Sequence, residues 1–305
     1  MNVKGKTRVE EIIKTVGLTK RYGKKTVVSD VNMTVYRGDI YGFIGKNGAG
    51  KTTAMKLILG LAVPSGGEIT LFGDNDLNKG RRKIGSLIEA PGLFRTCTAY
   101  ENMKRFSLLS GGDDDKIKEL LELVGLADTG KKRAGKFSLG MKQRLGIAIA
   151  LLGDPEALIL DEPINGLDPE GIKEVRDCVL KLNREKGVTF LISSHLLDEL
   201  SKIVTRYGII NDGVLIEEIT ADELLKRIES GLKVVVDDGE KAEKILLENG
   251  FAAEQIKRDG NVILLPVETK PSSVNSLLAA GGVSVEELTA LHGDVEQYFI
   301  DRTGV

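Results

Sequence analysis

The segment from Gly45 to Thr52 has the residue types of a phosphate-binding loop. It fits the pattern G-x4-G-K-[ST], in which glycines let the backbone turn tightly and direct N–H groups at phosphate oxygens. Lys51 supplies positive charge to the β- and γ-phosphates, and the Thr52 hydroxyl can bind Mg2+. We therefore expect ATP and Mg2+ as ligands. The nucleotide-binding residues predicted in this segment are Gly45, Lys46, Asn47, Gly48, Ala49, Gly50, Lys51, Thr52 and Thr53.

Two adjacent carboxylates follow a second apolar segment. Residues 157–160 are all apolar and lead directly into Asp161 and Glu162. Asp161 is placed to hold Mg2+ through water, as in other phosphate-loop enzymes. Glu162 is placed to act as general base on an attacking water. An ordinary acidic strand end is the alternative, but the presence of Lys51 and Thr52 in the same chain favours catalysis.

These side chains need parallel strands to position them. An apolar run at 39–44 precedes the loop, and helical spacing at 53–59 follows it, so the phosphates would lie at a helix N-terminus. Strand signals at 157–160, 188–194 and 207–210 alternate with helix signals. This order predicts an α/β core with largely parallel strands. Helical periodicity between about 90 and 150 predicts a helical subdomain.

The pattern changes after about residue 220. Strand and helix signals then follow in the order β-α-β-β-α-β, with a hairpin around Gly260 whose first strand is predicted at 253–257. This order indicates a small α+β domain of the split type. We expect an ATPase domain over 1–225 and an accessory domain over 226–305. The accessory domain either provides packing or dimer contacts or binds a regulatory ligand.

Composition excludes several classes of protein. The 305 residues include 43 basic and 45 acidic ones, and a formal net charge of -2 gives no electrostatic reason to expect nucleic acid as a partner. Two distant cysteines without metal spacing fit a reducing compartment. No secretory signal is visible, and the longest run of apolar residues and glycine, Leu145 to Gly153, has nine residues, against roughly 20 for a membrane span. We expect a cytoplasmic chain that reaches a membrane through a partner.

A third segment narrows the class of ATPase. Residues 137–144 read Phe-Ser-Leu-Gly-Met-Lys-Gln-Arg and resemble the signature segment of the ATP-binding-cassette (ABC) ATPases, L-S-G-G-Q-x-Q-R. Leu139 and Met141 depart from that form. Ser138 precedes a helix, so its hydroxyl and the first N–H groups could hold a γ-phosphate. The resemblance implies that Ser138 and Gly140 contact the nucleotide of the other subunit in a head-to-tail dimer.

Further segments resemble the same family in the same order. Residues 165–169 resemble its D-loop, and His195 ends a strand as the family's switch histidine does. Tyr22 lies where the family places an aromatic residue that stacks on adenine. The resemblance extends over about 16–225. It implies that His195 hydrogen-bonds the γ-phosphate and orients the water that Glu162 activates.

Glu89 is an informative departure. The family places a glutamine about forty residues after the loop, where it senses Mg2+ and the attacking water. A carboxylate at this position adds negative charge, which should strengthen metal binding or repel the nucleophile. The alternative is that Glu89 is misaligned and merely faces solvent. Residues 88–93 and 298–304 resemble the ATPases of bacterial bacitracin-export and lantibiotic-immunity systems.

The resemblance implies an ATPase subunit that powers membrane transport. We expect integral membrane permease subunits as partners, docked just after Glu89 at Leu93, Phe94 and Tyr100, and a homodimer or a paired cassette. The chain would then lie on the inner face of the membrane and drive export, with a peptide antibiotic or a lipid-like molecule as cargo, which would confer antibiotic resistance. The predicted catalytic residues are Lys51, Glu162 and His195, and the predicted metal ligands are Thr52, Asp161 and Glu89.

Three alternatives remain open. A soluble ABC ATPase without a transport role, such as an assembly factor for iron–sulfur clusters, also has one cassette and no coiled coil. A nucleic-acid- or ribosome-associated ATPase is disfavoured by the near-zero charge and the missing coiled-coil insertion. Finally, Leu139, Met141 and Glu89 are compatible with a catalytically weak cassette in which ATP binding is the switch.

Overall fold

The computed structural model describes residues 10–110, 112–228, 231–266, 269–291 and 295–303. These residues contain thirteen strands and eleven α-helices. The strands are β1 (Glu11–Tyr22), β2 (Lys25–Tyr36), β3 (Ile40–Ile44), β4 (Gly66–Leu71), β5 (Ile84–Leu87), β6 (Ala157–Asp161), β7 (Thr189–Ser194), β8 (Arg206–Asn211), β9 (Val214–Thr220), β10 (Gly231–Val236), β11 (Lys257–Asp259), β12 (Val262–Pro266) and β13 (Val285–Leu291). The helices are α1 (Lys51–Leu59), α2 (Leu77–Arg81), α3 (Ala99–Ser110), α4 (Asp114–Leu123), α5 (Leu139–Ala150), α6 (Pro169–Lys186), α7 (Leu197–Ser201), α8 (Ala221–Arg227), α9 (Gly239–Glu248), α10 (Pro271–Ala280) and α11 (Val295–Thr303).

The central sheet has the strand order β5-β6-β7-β3-β8-β9. All of its neighbouring strands pair in parallel except β8 and β9. Every residue of β3, β6 and β7 is buried, as expected for parallel strands that are covered on both faces. The carboxyl ends of these three strands therefore meet at one edge of the sheet, where ligands bind in open α/β folds. The α/β class predicted from the sequence is confirmed.

Helix α1 is held between two sheets. Strands β1, β2 and β4 form an antiparallel sheet in the order β2-β1-β4. One apolar cluster joins that sheet to α1 and to strands β3, β6 and β7, with the fully buried Leu18, Phe43, Met55, Leu57 and Ile159 among its members. Burial of this kind stabilises by roughly 25 cal/mol per Å2 of apolar surface. It fixes the N-terminus of α1 at the edge of the central sheet.

Helices fill the segment between β5 and β6. Asp113 caps α4 by accepting a hydrogen bond from Lys116 N, and Ser138 caps α5 in the same way through Met141 N. Helix α6 follows β6 and has a cap at each end. Asp168 caps its N-terminus, where Pro169 is the first residue, and Gly187 ends the helix in the left-handed conformation. No described helix is both long and apolar enough to cross a bilayer.

The chain divides into two compact units. The first contains the described residues up to Ala221 together with residues 302–303, and the second contains the described residues of Asp222–Asp301. The second unit has the antiparallel order β11-β12-β10-β13, and its elements follow the predicted β-α-β-β-α-β sequence. Alternate residues of β10, Leu232, Val234 and Val236, enter its core. The first hairpin strand lies at Lys257–Asp259 rather than at 253–257, where a 3-10 turn forms instead.

Candidate functional site

The phosphate-loop segment connects β3 to α1 by a path that requires glycine. A Cβ atom on Gly45 would lie 2.3 Å from the carbonyl oxygen of Ile210 in β8. Gly50 has a φ of +106°, and its Cβ atom would lie 2.7 Å from Val27 O. Gly50 is also the N-cap residue of α1 and provides no side-chain hydrogen bond. The first N–H groups of α1 therefore remain available to an anion.

Lys51 brings its ammonium group to Glu162. Its Nζ donates hydrogen bonds to the carbonyl oxygens of Gly45 at 2.6 Å and Lys46 at 3.1 Å. Glu162 Oε1 lies 3.1 Å from the same ammonium group, within ion-pair distance. That oxygen is buried and accepts no well-aligned hydrogen bond from the described residues, so the ammonium group contacts it only as an ion pair. An unsatisfied buried oxygen of this kind indicates a place for a donor such as water.

Thr52 and Asp161 meet at the same edge of the sheet. Thr52 Oγ1 donates to Asp161 Oδ2 at 2.8 Å, and Asp161 is the last residue of β6. Both side chains offer the oxygen ligands that Mg2+ prefers. The structure therefore brings together two of the three metal ligands predicted from the sequence.

His195 follows β7 and contacts Glu162. Its Nδ1 lies 2.8 Å from Glu162 Oε2. An ionised carboxylate only accepts hydrogen bonds, so in that state Nδ1 carries the proton and Nε2 is left for a second partner. Lys51, Glu162 and His195, the predicted catalytic residues, thus form one connected group.

Ser193 is a buried member of this site to which sequence analysis assigned no role. Its hydroxyl donates to Asp161 Oδ1 at 2.6 Å and accepts from Glu162 N at 2.8 Å. The β6–β7 register places Ser193 directly beside Asp161. The available sequence signal was a hydroxyl residue directly after the apolar run 190–192 of a central strand.

Glu89 lies apart from the Thr52–Asp161 pair. Its side chain is 68% exposed, and its Oε1 lies 2.7 Å from Lys56 Nζ, one helical turn after Thr52 in α1. This hydrogen bond lowers the pKa of Glu89 and raises that of Lys56. Glu89 has a φ of +62°, in the left-handed region that non-glycine residues rarely adopt. No role for Lys56 was predicted from the sequence, although its i,i+4 spacing from Thr52 places both residues on one side of α1.

Tyr22 ends β1 with its ring open to solvent. The residue is 53% exposed, and Lys20 Nζ lies 4.8 Å from the ring centroid. An exposed ring that is fixed at a strand end provides a flat surface for stacking.

The signature segment lies at the start of α5. Ser138 is exposed and accepts a hydrogen bond from Met141 N at 3.2 Å. Gly140 is buried against α6, and its Cβ atom would lie 3.3 Å from Gly171 Cα. Arg144 anchors the helix through Val124 O at 2.9 Å and Glu174 at 2.8 Å. Among the described residues, no hydrogen bond or ion pair joins Ser138 or Gly140 to the Lys51 group.

The residues present fit a nucleoside triphosphate with Mg2+. The helix N-terminus is uncapped, a buried glutamate oxygen lacks a donor, and a hydroxyl and a carboxylate lie side by side. The described residues contain no group of three or more His, Cys, Asp or Glu that could hold a metal. Mg2+ does not need such a group, because it commonly binds one or two protein ligands together with substrate phosphates and water.

Comparison with known proteins agrees with this geometry. A family model described as ABC transporter matches residues 28–165. The chain is 44% identical over 299 residues to a bacitracin transport ATP-binding protein of Bacillus licheniformis, covering 96% of this chain and 97% of that protein. It is also 44% identical over 207 residues to a lantibiotic transport ATP-binding protein of Streptococcus pyogenes, covering 68% of this chain and 90% of that protein.

Solved structures share the fold of much of this chain. One is a dimeric ATP-binding cassette in a post-hydrolysis state with bound ADP and Pi. It superposes with a TM-score of 0.60 at 26% sequence identity and covers 69% of this chain and 99% of its own.

Proposed function

This chain belongs to the ATP-binding proteins of ABC transporters, and we propose that Lys51, Glu162 and His195 carry out its ATP hydrolysis. It is the ATP-hydrolysing subunit of an export-type ABC transporter. The observation that carries the assignment of residues is the connected group in which Lys51 Nζ lies 3.1 Å from Glu162 Oε1 and His195 Nδ1 lies 2.8 Å from Glu162 Oε2.

The phosphate loop and Tyr22 bind the nucleotide. The N–H groups at the start of α1 and the Lys51 ammonium group hold the phosphates, and the exposed Tyr22 ring stacks on adenine. Lys51 now donates to two loop carbonyls. A phosphate would offer it stronger, charge-assisted hydrogen bonds in their place.

Thr52 and Asp161 hold Mg2+, and Glu89 joins them. When bound, Mg2+ neutralises charge on the phosphates and fixes the group that is transferred. Support comes from the 2.8 Å contact between Thr52 Oγ1 and Asp161 Oδ2. Glu89 has to leave its ion pair with Lys56 to take part, and the exposure of its side chain leaves it free to rotate.

Glu162 takes the proton of the attacking water. Its Oε1 is buried and accepts no well-aligned hydrogen bond from the protein, so it can accept a hydrogen bond from a water molecule and then the proton of that water. His195 holds the other carboxylate oxygen and keeps the group oriented. General-base catalysis of this kind contributes roughly 10²–10⁴-fold to the rate.

Hydrolysis occurs in a pair of cassettes that serve a membrane permease. The dimeric cassette with bound ADP and Pi supports the pairing, and Ser138 and Gly140 would face the nucleotide of the second cassette. Phe94 is 45% exposed, and the buried Asn102 fixes the loop around it by accepting a hydrogen bond from Phe94 N at 2.8 Å. This loop offers a firm docking surface for a permease on the inner face of the membrane.

The cargo that we infer is a peptide antibiotic or a lipid-like molecule. Support comes from the 44% identity to the bacitracin transport ATP-binding protein, which extends over 96% of this chain. Export of such a compound would give the cell resistance to it.

Glu162→Gln tests the catalytic assignment. We expect kcat for ATP hydrolysis to fall by roughly 10²-fold or more, with ATP affinity retained, because the amide cannot accept the water proton. Glu185→Gln, an exposed carboxylate in α6, is the matched control and should hydrolyse ATP at the wild-type rate. Turnover by Glu162→Gln at the wild-type rate would refute the general-base role.

An affinity pull-down from detergent-solubilised native membranes tests the transport assignment. We expect a stoichiometric multi-span membrane protein to be recovered with the chain, and cells without that pair to lose resistance to added bacitracin. Recovery from the soluble fraction alone, with unchanged sensitivity, would favour an ABC ATPase without a transport role.

A further inference from the structure

Ser193 contacts both the proposed metal ligand Asp161 and the proposed general base Glu162. It belongs to β7, and its side chain is fully buried. Phe190, Leu191 and Ile192 precede it as apolar residues of the same strand, as expected for a central parallel strand. A hydroxyl in such a strand has to find hydrogen-bond partners inside the protein, and both partners of Ser193 belong to the site.

The first partner is the Asp161 carboxylate. Ser193 Oγ donates to Asp161 Oδ1 at 2.6 Å, while Thr52 Oγ1 donates to Asp161 Oδ2 at 2.8 Å. Both oxygens are thus held by hydroxyl groups, which prevents rotation of the carboxylate. A charge-assisted hydrogen bond of this length is strong.

The second partner is the backbone of Glu162. Its N–H donates to Ser193 Oγ at 2.8 Å. Glu162 has a φ of +49°, a left-handed conformation that costs a non-glycine residue free energy and persists only when its surroundings hold it. The bond from Ser193 is one such constraint, because it fixes the peptide that sets the direction of the Glu162 side chain.

We propose that Ser193 is a positioning residue for hydrolysis. One hydroxyl couples the orientation of Asp161, on the metal side, to the backbone of Glu162, on the water side. Its removal leaves a carboxylate oxygen and a backbone N–H unsatisfied next to the reacting groups. This inference rests on the roles proposed above for Asp161 and Glu162.

Ser193→Ala is the central test. We expect kcat to fall roughly 10- to 100-fold, the size of effect that follows from one unsatisfied buried group. With a non-hydrolysable ATP analogue bound, the affinity for Mn2+, measured by electron paramagnetic resonance, should fall as well. Binding of a fluorescent ATP analogue in EDTA should stay at the wild-type value, because that step uses the loop and Lys51. Ser193→Thr retains the hydroxyl and should restore both kcat and Mn2+ affinity.

Thr189→Val is the matched control. Thr189 lies at the opposite end of β7, is also fully buried, and accepts a hydrogen bond from Gly38 N at 3.0 Å. Loss of the Thr189 hydroxyl group in Thr189→Val should lower thermal stability without changing kcat or Mn2+ affinity. If Ser193→Ala does not fold, Ser193→Cys gives the same measurements with a near-isosteric, weaker donor.

Two results would overturn the inference. One is a Ser193→Ala protein with kcat and Mn2+ affinity within about twofold of the wild type and only a lower Tm, as with Thr189→Val. The other is a Ser193→Thr protein that stays as impaired as Ser193→Ala. Failure of the general-base proposal can be distinguished from failure of this inference. It would appear as ATP turnover by Glu162→Gln, and it would not change the Mn2+ affinity measured for Ser193→Ala.

Discussion

Glu89 and Lys56 form an ion pair, and Lys56 lies one helical turn after the proposed metal ligand Thr52. Lys56 follows Thr52 by one turn of α1, so the pair and the Thr52–Asp161 contact share one side of the helix. An exposed pair of this kind contributes little to stability. Its consequence is instead a competition, because Glu89 can neutralise either the Lys56 ammonium group or a bound Mg2+.

Substitution of Glu89 and substitution of Lys56 should shift the Mg2+ requirement of ATP hydrolysis in opposite directions. Glu89→Gln removes a ligand charge, so the Mg2+ concentration that gives half-maximal ATP hydrolysis should rise, by roughly 3- to 10-fold. Lys56→Met releases Glu89 from its ion pair, so the same concentration should fall. The measurement is a Mg2+ titration of ATPase activity at saturating ATP. Lys104→Met, which breaks an exposed pair with Asp114 in the helical segment, is the control and should leave the titration unchanged. Two unchanged titrations, for Glu89→Gln and Lys56→Met, would show that Glu89 stays away from the metal.

Strand β9 connects the two sheets of the first unit through the half-buried carboxyl group of Glu218. Glu218 Oε1 accepts hydrogen bonds from Thr34 N in β2 at 2.9 Å and from the Tyr41 hydroxyl in β3 at 2.8 Å. Burial raises the pKa of Glu218, outweighing the two hydrogen bonds and the nearby Arg206, which lower it. The folded state therefore binds the Glu218 proton more tightly than the unfolded state does.

The pH dependence of stability follows from that direction. Because the folded-state pKa is raised, the contribution of Glu218 to stability is fully present below its unfolded-state pKa and is lost as pH rises through the folded-state value. Glu218→Gln keeps an acceptor oxygen without the proton equilibrium. The free energy of unfolding of the wild type minus that of Glu218→Gln should therefore decrease from pH 4 upward, by about 1.4 kcal/mol for each unit of raised pKa. Urea unfolding at a series of pH values measures this difference. A difference that does not vary with pH would show that the Glu218 carboxyl group does not bind a proton more tightly in the folded state.

The elements differ in how well sequence predicted them. Strands β3, β6 and β7 are continuous apolar runs, and their ends placed the loop, Asp161, Glu162 and His195 correctly along the chain. Strand β1 was missed because Gly17, with a φ of +62°, interrupts its alternation and shifts the pairing with β2 between Thr15 and Leu18. Strand β5 has four residues, too few for a periodic signal. The bonds of Ser193 and the Lys56–Glu89 pair depend on register and tertiary contacts, which no local pattern reveals.

On the scale of the whole molecule, the residues proposed to contact ATP lie in two separate places. The phosphate loop, Asp161, Glu162 and His195 meet at the carboxyl edge of the central sheet. Ser138 instead caps α5 in the helical segment and is exposed. If the solved dimer of a related cassette reflects the working arrangement, the second half of each site has to come from a neighbouring cassette.

A mixing experiment tests this sharing of sites directly. Lys51→Ala removes the phosphate-binding charge, and Ser138→Arg places a bulky side chain at an exposed position, at a cost of about 1 kcal/mol for the lost helix cap. Each variant alone should lack ATPase activity, because every site in its dimer contains the substituted residue. In a mixed dimer, one site combines the intact loop of the Ser138→Arg chain with the intact signature segment of the Lys51→Ala chain. Mixing the two variants should therefore recover ATP hydrolysis. Mixing Lys51→Ala with a Lys51→Ala/Ser138→Arg double variant leaves no intact loop and should recover none. If the first mixture is as inactive as the second, each site is built from a single chain and the pairing of cassettes has another purpose.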